Sequence, residues 1–305
     1  MPLQLNTPLA EGTRLENYRI ERLLAEGGFS FVYLAQDEND TPVVIKEYLP
    51  STLALRTAER SGEAGPPRLG ERDMAKYRYG MKCFFEEGKA LARLQHPNVV
   101  RVLNFFRASD SVYLVMRYER GRSLQEHIQA LAEPPDEVWV RATFAQLLNG
   151  LREVHTHKLL HLDIKPANVY LREDGSPLLI DFGAARQTLS EEGMKLPPTY
   201  TPGFASPEHH VGRENLGPWS DIYSVGATVY ACFAGAAPQP ADLRVKQDRL
   251  VPARRQWGER YSHELLDIVD WCLRLDHLAR PQSVFALQKA LLGEREPERQ
   301  AGGRP

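Results

Sequence analysis

Three short stretches near the start of the chain, 18–24, 29–37 and 42–48, are hydrophobic runs rich in β-branched or aromatic side chains. Such runs, bounded by turn residues, predict strands. Glu26-Gly27-Gly28 and Glu38-Asn39-Asp40 separate them as turns. A polar stretch from Pro50 to about Tyr77, containing Ser61-Gly62 and Gly65-Pro66-Pro67, predicts a long loop or insertion. Phe84, Phe85, Gly88, Leu91 and Ala92 then recur at helical spacing, and His96-Pro97-Asn98 stops that helix. Two further strands are predicted at 100–107 and 112–118.

Beyond Ser123 the period changes to that of helices. Ser123 is placed to cap one, and Pro134-Pro135-Asp136 opens another that runs to about His157. A short hairpin interrupts: 169–171, a turn at Asp174-Gly175-Ser176, then 178–180. Residues 181–218 read as irregular, and helices return at 221–234, 262–273 and 283–292. A strand-rich first part therefore meets a helix-rich second part near 116–121, which predicts a cleft between two lobes, a common setting for ligand sites.

Composition narrows the class without naming a chemistry. The chain has 305 residues, 42% hydrophobic, with 38 basic and 40 acidic residues and a formal net charge of −2. That is globular, and it carries no polycationic surface for nucleic acid or anionic membrane. Cys83, Cys232 and Cys272 are odd in number and widely spaced, without a C-x-x-C, so buried thiols in a reducing compartment are expected rather than disulfides or zinc. The first 16 residues lack a signal-peptide core, and the longest weakly apolar stretch, 225–237, is too short to span a bilayer. A cytoplasmic location is expected, with a membrane tether only if the chain is part of something longer. No feature sets the oligomeric state.

The chemistry begins with residues 24–33, where Gly27 and Gly28 between two strands would let backbone N–H groups approach a polyphosphate. Lys46 ends the third strand, and Glu87 on the following helix is an available carboxylate partner. The strongest signal is His161-Leu162-Asp163-Ile164-Lys165-Pro166-Ala167-Asn168, followed by Asp181-Phe182-Gly183. Together these supply what phosphoryl transfer requires: a carboxylate for the hydroxyl proton, a cation for the moving phosphoryl group, and an amide and a second carboxylate to hold Mg²⁺. Either segment alone is an ordinary Asp-bearing turn.

With these motifs in this order, the chain resembles the protein kinase family, specifically the Ser/Thr kinases of bacteria, from about Tyr18 to Leu292. The resemblance implies an α+β bilobal fold: a small antiparallel sheet lobe with one helix over about 14–116, a hinge at 117–121, a mainly helical lobe over 122–293, and a charged tail at 294–305. It implies ATP-dependent phosphorylation of protein Ser/Thr hydroxyls, autophosphorylation included, with Mg²⁺ or Mn²⁺. Lys46, held by Glu87, would hold the α/β-phosphates. Asp163 would be the base and Lys165 would neutralise the γ-phosphoryl group. Asn168 and Asp181 would bind the metal. The nucleotide would meet Ala25, Glu26, Gly27, Gly28, Phe29, Ser30, Val32, Val44, Tyr170, the gatekeeper Met116 and the hinge residues Arg117, Tyr118 and Glu119. Thr201 would bond Asp163 and Lys165 and select Ser/Thr acceptors. Glu208 would pair with Arg280, Asp221 would open the large buried helix, and Leu91, Val102, His161 and Phe182 would form a hydrophobic column. The run 46–50 also resembles a subgroup of bacterial kinases.

Several positions depart from the family pattern. Ala25 and Ser30 replace two glycines, which implies a stiffer loop. Leu162 replaces the arginine that anchors a phosphorylated activation segment, so phosphate on Thr188, Ser190 or Thr199 has no anchor there. Activity is therefore expected to survive phosphatase treatment, and a collapse in rate would refute this. Val44 and Tyr170 are larger than usual and imply a tight adenine slot. Val44→Ala is expected to improve ATP affinity, and an unchanged Kd would count against that. Arg117, a solvated residue on this reading, is unusual in the hinge. His155, His157 and His161 read as kinase-loop and helix-end residues rather than metal ligands, and His209-His210 as surface. Residues 56–78, with six basic and four acidic residues, read as a solvated insertion. Two alternatives stand beside an active kinase. A partner-binding pseudokinase is opposed by the presence of Lys46, Glu87, Asp163, Asn168 and Asp181. A small-molecule phosphotransferase is opposed by Ser206-Pro207-Glu208 and Arg280.

Overall fold

A computed structural model describes residues 6–56, 68–70, 73–182 and 200–293. The chain forms two compact units, dividing after Arg120.

The first unit is built on a six-stranded antiparallel sheet. Its strands are β1 (Arg14–Leu15), β2 (Tyr18–Glu26), β3 (Ser30–Gln36), β4 (Pro42–Tyr48), β7 (Val102–Ala108) and β8 (Ser111–Arg117), in the order β1-β2-β3-β4-β8-β7. Between β4 and β7 come β5 (Ala54–Leu55) and β6 (Arg68–Leu69), paired as a small separate ladder, and helix α1 (Met74–Leu91). The helix packs on β7 and β8. Gly88 permits the approach, because a Cβ there would lie 2.8 Å from the Leu114 side chain. Gly80 does the same for Tyr48, whose hydroxyl occupies the space a Cβ would take.

The second unit is mainly helical. It contains β9 (Gly121–Ser123), α2 (Leu124–Ala130), α3 (Glu137–Thr156), β10 (Val169–Arg172), β11 (Pro177–Leu179), α4 (Pro218–Ala234), α5 (Ala241–Lys246), α6 (Ala253–Trp257), α7 (His263–Cys272) and α8 (Val284–Leu291). Caps set several starts: the Ser123, Asp136, Ser262 and Ser283 side chains each accept a first-turn N–H. Helix α4 is buried along nearly its whole length and starts with Pro218, whose missing N–H costs nothing at a first position. It packs on α7, and α3 packs on α8. No described helix is long and apolar enough to cross a membrane.

Several sequence expectations need correction. The polar stretch is not loop as far as Tyr77: α1 begins at Met74, and Tyr77 is buried, with its ring 5.5 Å from Tyr48 and its hydroxyl donating to Asp110 O at 3.1 Å. Arg56, placed at the start of a solvated segment, is 4% exposed because it answers the buried Glu47 carboxylate. His209 is buried rather than on the surface; its Nδ1 lies 2.8 Å from Ser206 Oγ. The hairpin at 169–180 has a third strand, β9, which pairs with β10. Short α5 and α6 occupy a stretch with no assigned element; at five and six residues they carry too few turns to display a period. All three cysteines are buried and unbridged. Burial pushes the Cys272 thiol up to about 12, which makes it inert at neutral pH.

Candidate active site

Strand register sorts the first unit's candidates onto one face. Val32 pairs with Lys46, Lys46 with Leu114, and Val44 with Met116. Because side chains alternate along a strand, Val32, Val44, Lys46 and Met116 share this face, and Ala25, opposite Val32, joins them. Val32, Val44 and Met116 are half-buried, while Lys46 is 5% exposed. The Lys46 ammonium lies 6.0 Å from the Phe84 ring centroid. Glu87, one helical turn further along α1, is 2% exposed and shares Phe84's side of the helix. A buried ammonium and a buried carboxylate are thus carried by adjoining elements, where each can offset the desolvation of the other.

The glycine loop is closed by its own backbone: Gly27 N–H donates to Ser30 O at 2.9 Å. It is tied to the chain beyond β4 by Leu49 N–H to Phe29 O and Ser51 N–H to Gly28 O, both 3.0 Å, and by Ser51 Oγ to Gly28 O at 3.2 Å. Residues Ala25, Glu26, Gly27 and Gly28 are exposed, and Phe29 and Ser30 are half-buried. Neither Gly27 nor Gly28 has a positive φ. At the end of β8, Arg117 N–H is committed to Arg101 O at 2.9 Å, so the backbone of Tyr118 and Glu119 is the part of the predicted hinge that lies past the strand.

In the second unit the residues around Asp163 converge. Lys165 Nζ donates to Asp163 Oδ2 at 2.8 Å and to Thr201 Oγ1 at 2.7 Å. Thr201 Oγ1 donates to Asp163 Oδ1 at 2.8 Å. Asn168 Nδ2 donates to Asp163 O and Oδ2, both at 2.9 Å. Both carboxylate oxygens are therefore held, one by Thr201 and the other by Lys165 and Asn168.

This loop is shaped from below by Asp221, which is 0% exposed on α4. Its carboxylate accepts the N–H of His161 at 2.9 Å and of Leu162 at 2.7 Å, and lies 2.7 Å from His155 Nε2. Leu162 has φ 62° and is 1% exposed. His161 Nε2 lies 3.1 Å from Ile180 O. Burial pushes His161 below its ordinary value despite the opposing pull of Asp221, Asp163 and Asp181, so the ring is neutral.

Ile180 N–H donates to Asn168 O at 3.0 Å, which ties the segment leading to Asp181 to the loop. Asp181 is exposed, with φ 58°. The donor set suits a hard divalent cation: Asn168 commits its amide nitrogen to Asp163 and presents a carbonyl oxygen, and Asp181 presents a carboxylate. Among the described residues no three His, Cys, Asp or Glu side chains are arranged to hold a metal ion. Tyr170 is half-buried on β10, opposite Leu178. Further out, Arg280 NH1 and NH2 fork onto Glu208 at 2.8 and 3.0 Å, and Ser220 Oγ adds a third donor at 2.8 Å. Burial raises the Glu208 carboxyl, but the bonds and charge of Arg280 outweigh it and hold it below its ordinary value. Thr188, Ser190 and Thr199 lie outside the described residues, as does Gly183.

Sequence reasoning missed two groups. The His155 contact to Asp221 carries no local signal, because the partners lie 66 residues apart, one at the end of α3 and the other at the start of α4. The Glu47 cluster had one: alternation along β4 puts Glu47 on the same face as the buried Val43 and Ile45, and a carboxylate on an apolar face requires a partner.

A family model described as "Protein kinase domain" matches residues 67–292. Its match begins after Lys46, but individual relatives extend further forward. Serine/threonine-protein kinase PLK4 of Drosophila yakuba is 26% identical over 87% of this chain and 32% of its own length. Serine/threonine-protein kinase pkn3 of Myxococcus xanthus is 29% identical over 90% of this chain and 49% of its own. The chain thus spans from 32% to 49% of the length of these curated relatives. A solved structure titled "PpkA-294 apo form" is 31% identical, with a TM-score of 0.81, over 93% of this chain and 99% of that one. A six-stranded sheet unit with one helix, a helical unit holding an Asp-Lys-Asn-Thr cluster, and a family match across most of the length have one common reading: the chain belongs to the protein kinase domain family.

Proposed function

We propose that the chain is a protein serine/threonine kinase domain, transferring the γ-phosphoryl group of ATP to Ser or Thr hydroxyls of proteins, its own included. The observation that carries this reading is the hydrogen-bonded cluster of Asp163, Lys165, Asn168 and Thr201, with every contact between 2.7 and 2.9 Å.

In this reading Asp163 orients the acceptor hydroxyl and takes its proton as the oxygen bonds to phosphorus. Lys165 faces the charge on the transferring group, and ADP leaves. Thr201 fixes Oδ1 of Asp163 and helps select Ser or Thr acceptors. Lys46, steadied by Glu87, holds the α/β-phosphates. Val32, Val44, Met116 and Tyr170 are the side chains assigned to the adenine, and backbone groups at 118–119 read its edge. Asn168 and Asp181 would hold Mg²⁺, which supplies neutralisation of phosphate charge when bound. Glu208 with Arg280, and Asp221 with the backbone of 161–162, keep the loop in shape.

The domain bounds proposed are a sheet lobe at about 14–116, a hinge at 117–121, a helical lobe at 122–293 and a tail at 294–305, with protein partners as substrates and a cytoplasmic setting. The test is incubation with γ-labelled ATP and a general protein acceptor, followed by acid hydrolysis. Label recovered as phosphoserine and phosphothreonine is expected. Label found only in small molecules, or none at all in a sample that binds ATP, would reject the proposal in favour of the phosphotransferase or pseudokinase reading.

A further inference from the structure

The sheet face opposite Lys46 carries a polar cluster that the phosphotransfer chemistry does not use. Glu47, the next residue along β4, is fully buried. Arg56 NH1 and NH2 bind Glu47 Oε1 and Oε2 at 2.6 and 2.7 Å. Tyr113 OH donates to Oε1 at 2.8 Å, and Tyr33 OH to Oε2 at 2.9 Å. Burial, reinforced by the Glu47 charge, keeps both phenols protonated. The chain ahead of the sheet closes over this clasp: Asn6 Oδ1 accepts Arg56 N–H at 2.6 Å, Thr7 O accepts Arg56 Nε–H at 2.9 Å, and Leu9 N–H donates to Tyr33 OH at 3.1 Å.

Stability alone does not call for such a pair. Apolar residues of equal volume serve a core as well as a buried ion pair or better. What the pair adds is direction, because a forked guanidinium accepts only one geometry. The loop it closes runs from Glu47 to Arg56. Lys46 adjoins one end, and Leu49 and Ser51 in its middle hold the backbone of Phe29 and Gly28.

We infer that the Glu47–Arg56 clasp is a positioning device for the phosphate-binding elements, fixing Lys46 from one end and the glycine loop through residues 49–51. This rests on the reading of Lys46 and the glycine loop as the groups that meet the nucleotide phosphates.

The test compares binding of a hydrolysis-resistant ATP analogue with binding of adenosine, which has no phosphates. In the apolar swap Glu47→Leu/Arg56→Met, with Tm retained, the analogue Kd is expected to rise about tenfold while adenosine binding stays unchanged. Arg56→Lys, which keeps the charge but loses the fork, is expected to lie between wild type and swap, and it serves if the swap fails to fold. Equal weakening of both ligands would indicate general loosening and overturn the inference, as would no change in either. Lys46→Met is the control for the underlying reading. If it too leaves the ratio of the two affinities unchanged, the fault lies with the role given to Lys46 rather than with the clasp.

Discussion

Leu162 bears backbone strain that a leucine seldom carries. Its φ of 62° lies in the left-handed region, which costs an L side chain about 1–2 kcal/mol. Asp221 holds it there by accepting the N–H groups of His161 and Leu162, so the placement of Asp163 depends on a buried charge. Burial raises the Asp221 carboxyl, but the hydrogen bond and charge of His155, with His161, outweigh it and leave it below its ordinary value. Glu208 is lowered too, by Arg280. Burial lowers His161 and His209. These shifts act in one direction. As pH falls below the unfolded-state histidine value of 6.5, the unfolded chain gains protons that the folded chain refuses, and stability drops. The carboxylates contribute stability that is whole above their unfolded values of 4.5 and 3.8 and is lost as pH falls through the depressed folded ones. Tm measured from pH 8 to pH 4 should therefore fall in two stages, the first beginning near pH 6.5 and shallower in His209→Gln. A Tm that stays level from pH 7 to pH 5 would contradict the burial of neutral histidines.

Among the elements, the glycine loop and α4 use glycine in opposite ways. On α4, Gly226 is obligatory for packing, because a Cβ there would come within 2.5 Å of Cys272 Cβ. At Gly28 a Cβ would meet nothing within 4 Å, and the backbone needs no positive φ. Among the described residues nothing asks for glycine at that place, and close approach of a ligand is the use the proposed function gives it. Gly28→Ala should accordingly keep or raise Tm, since alanine restricts the unfolded chain by about 0.4–1 kcal/mol. The same variant should weaken ATP binding by about tenfold. Calorimetry and a nucleotide titration on one sample check both halves. Unchanged affinity would mean that the loop does not approach the phosphates.

At the scale of the whole molecule, most of the architecture was legible because its signals are periodic or local. The strands β2 to β4 are β-branched or aromatic runs bounded by turn residues, and Ser123, Asp136, Ser262 and Ser283 mark helix starts. The candidate site was legible for a different reason: Asp163, Lys165, Asn168 and Asp181 lie close along the chain, and Thr201 was placed with them through the family motif. Contacts between separated residues that no family motif marks were not legible. Arg56 looked solvated because its partner, Glu47, is reached only when the chain folds back over the sheet, and His155 meets Asp221 66 residues further along the chain. In the proposed function the acceptor proton passes to the Asp163 carboxylate, so the isosteric variant Asp163→Asn tests the central claim most directly. Its rate of labelled phosphate transfer to protein should fall by about 10²–10⁴-fold, while its ATP affinity, measured on the same sample, stays within about twofold of wild type. Transfer at the wild-type rate by the folded, ATP-binding variant would contradict a base at Asp163 and with it the catalytic reading of the cluster.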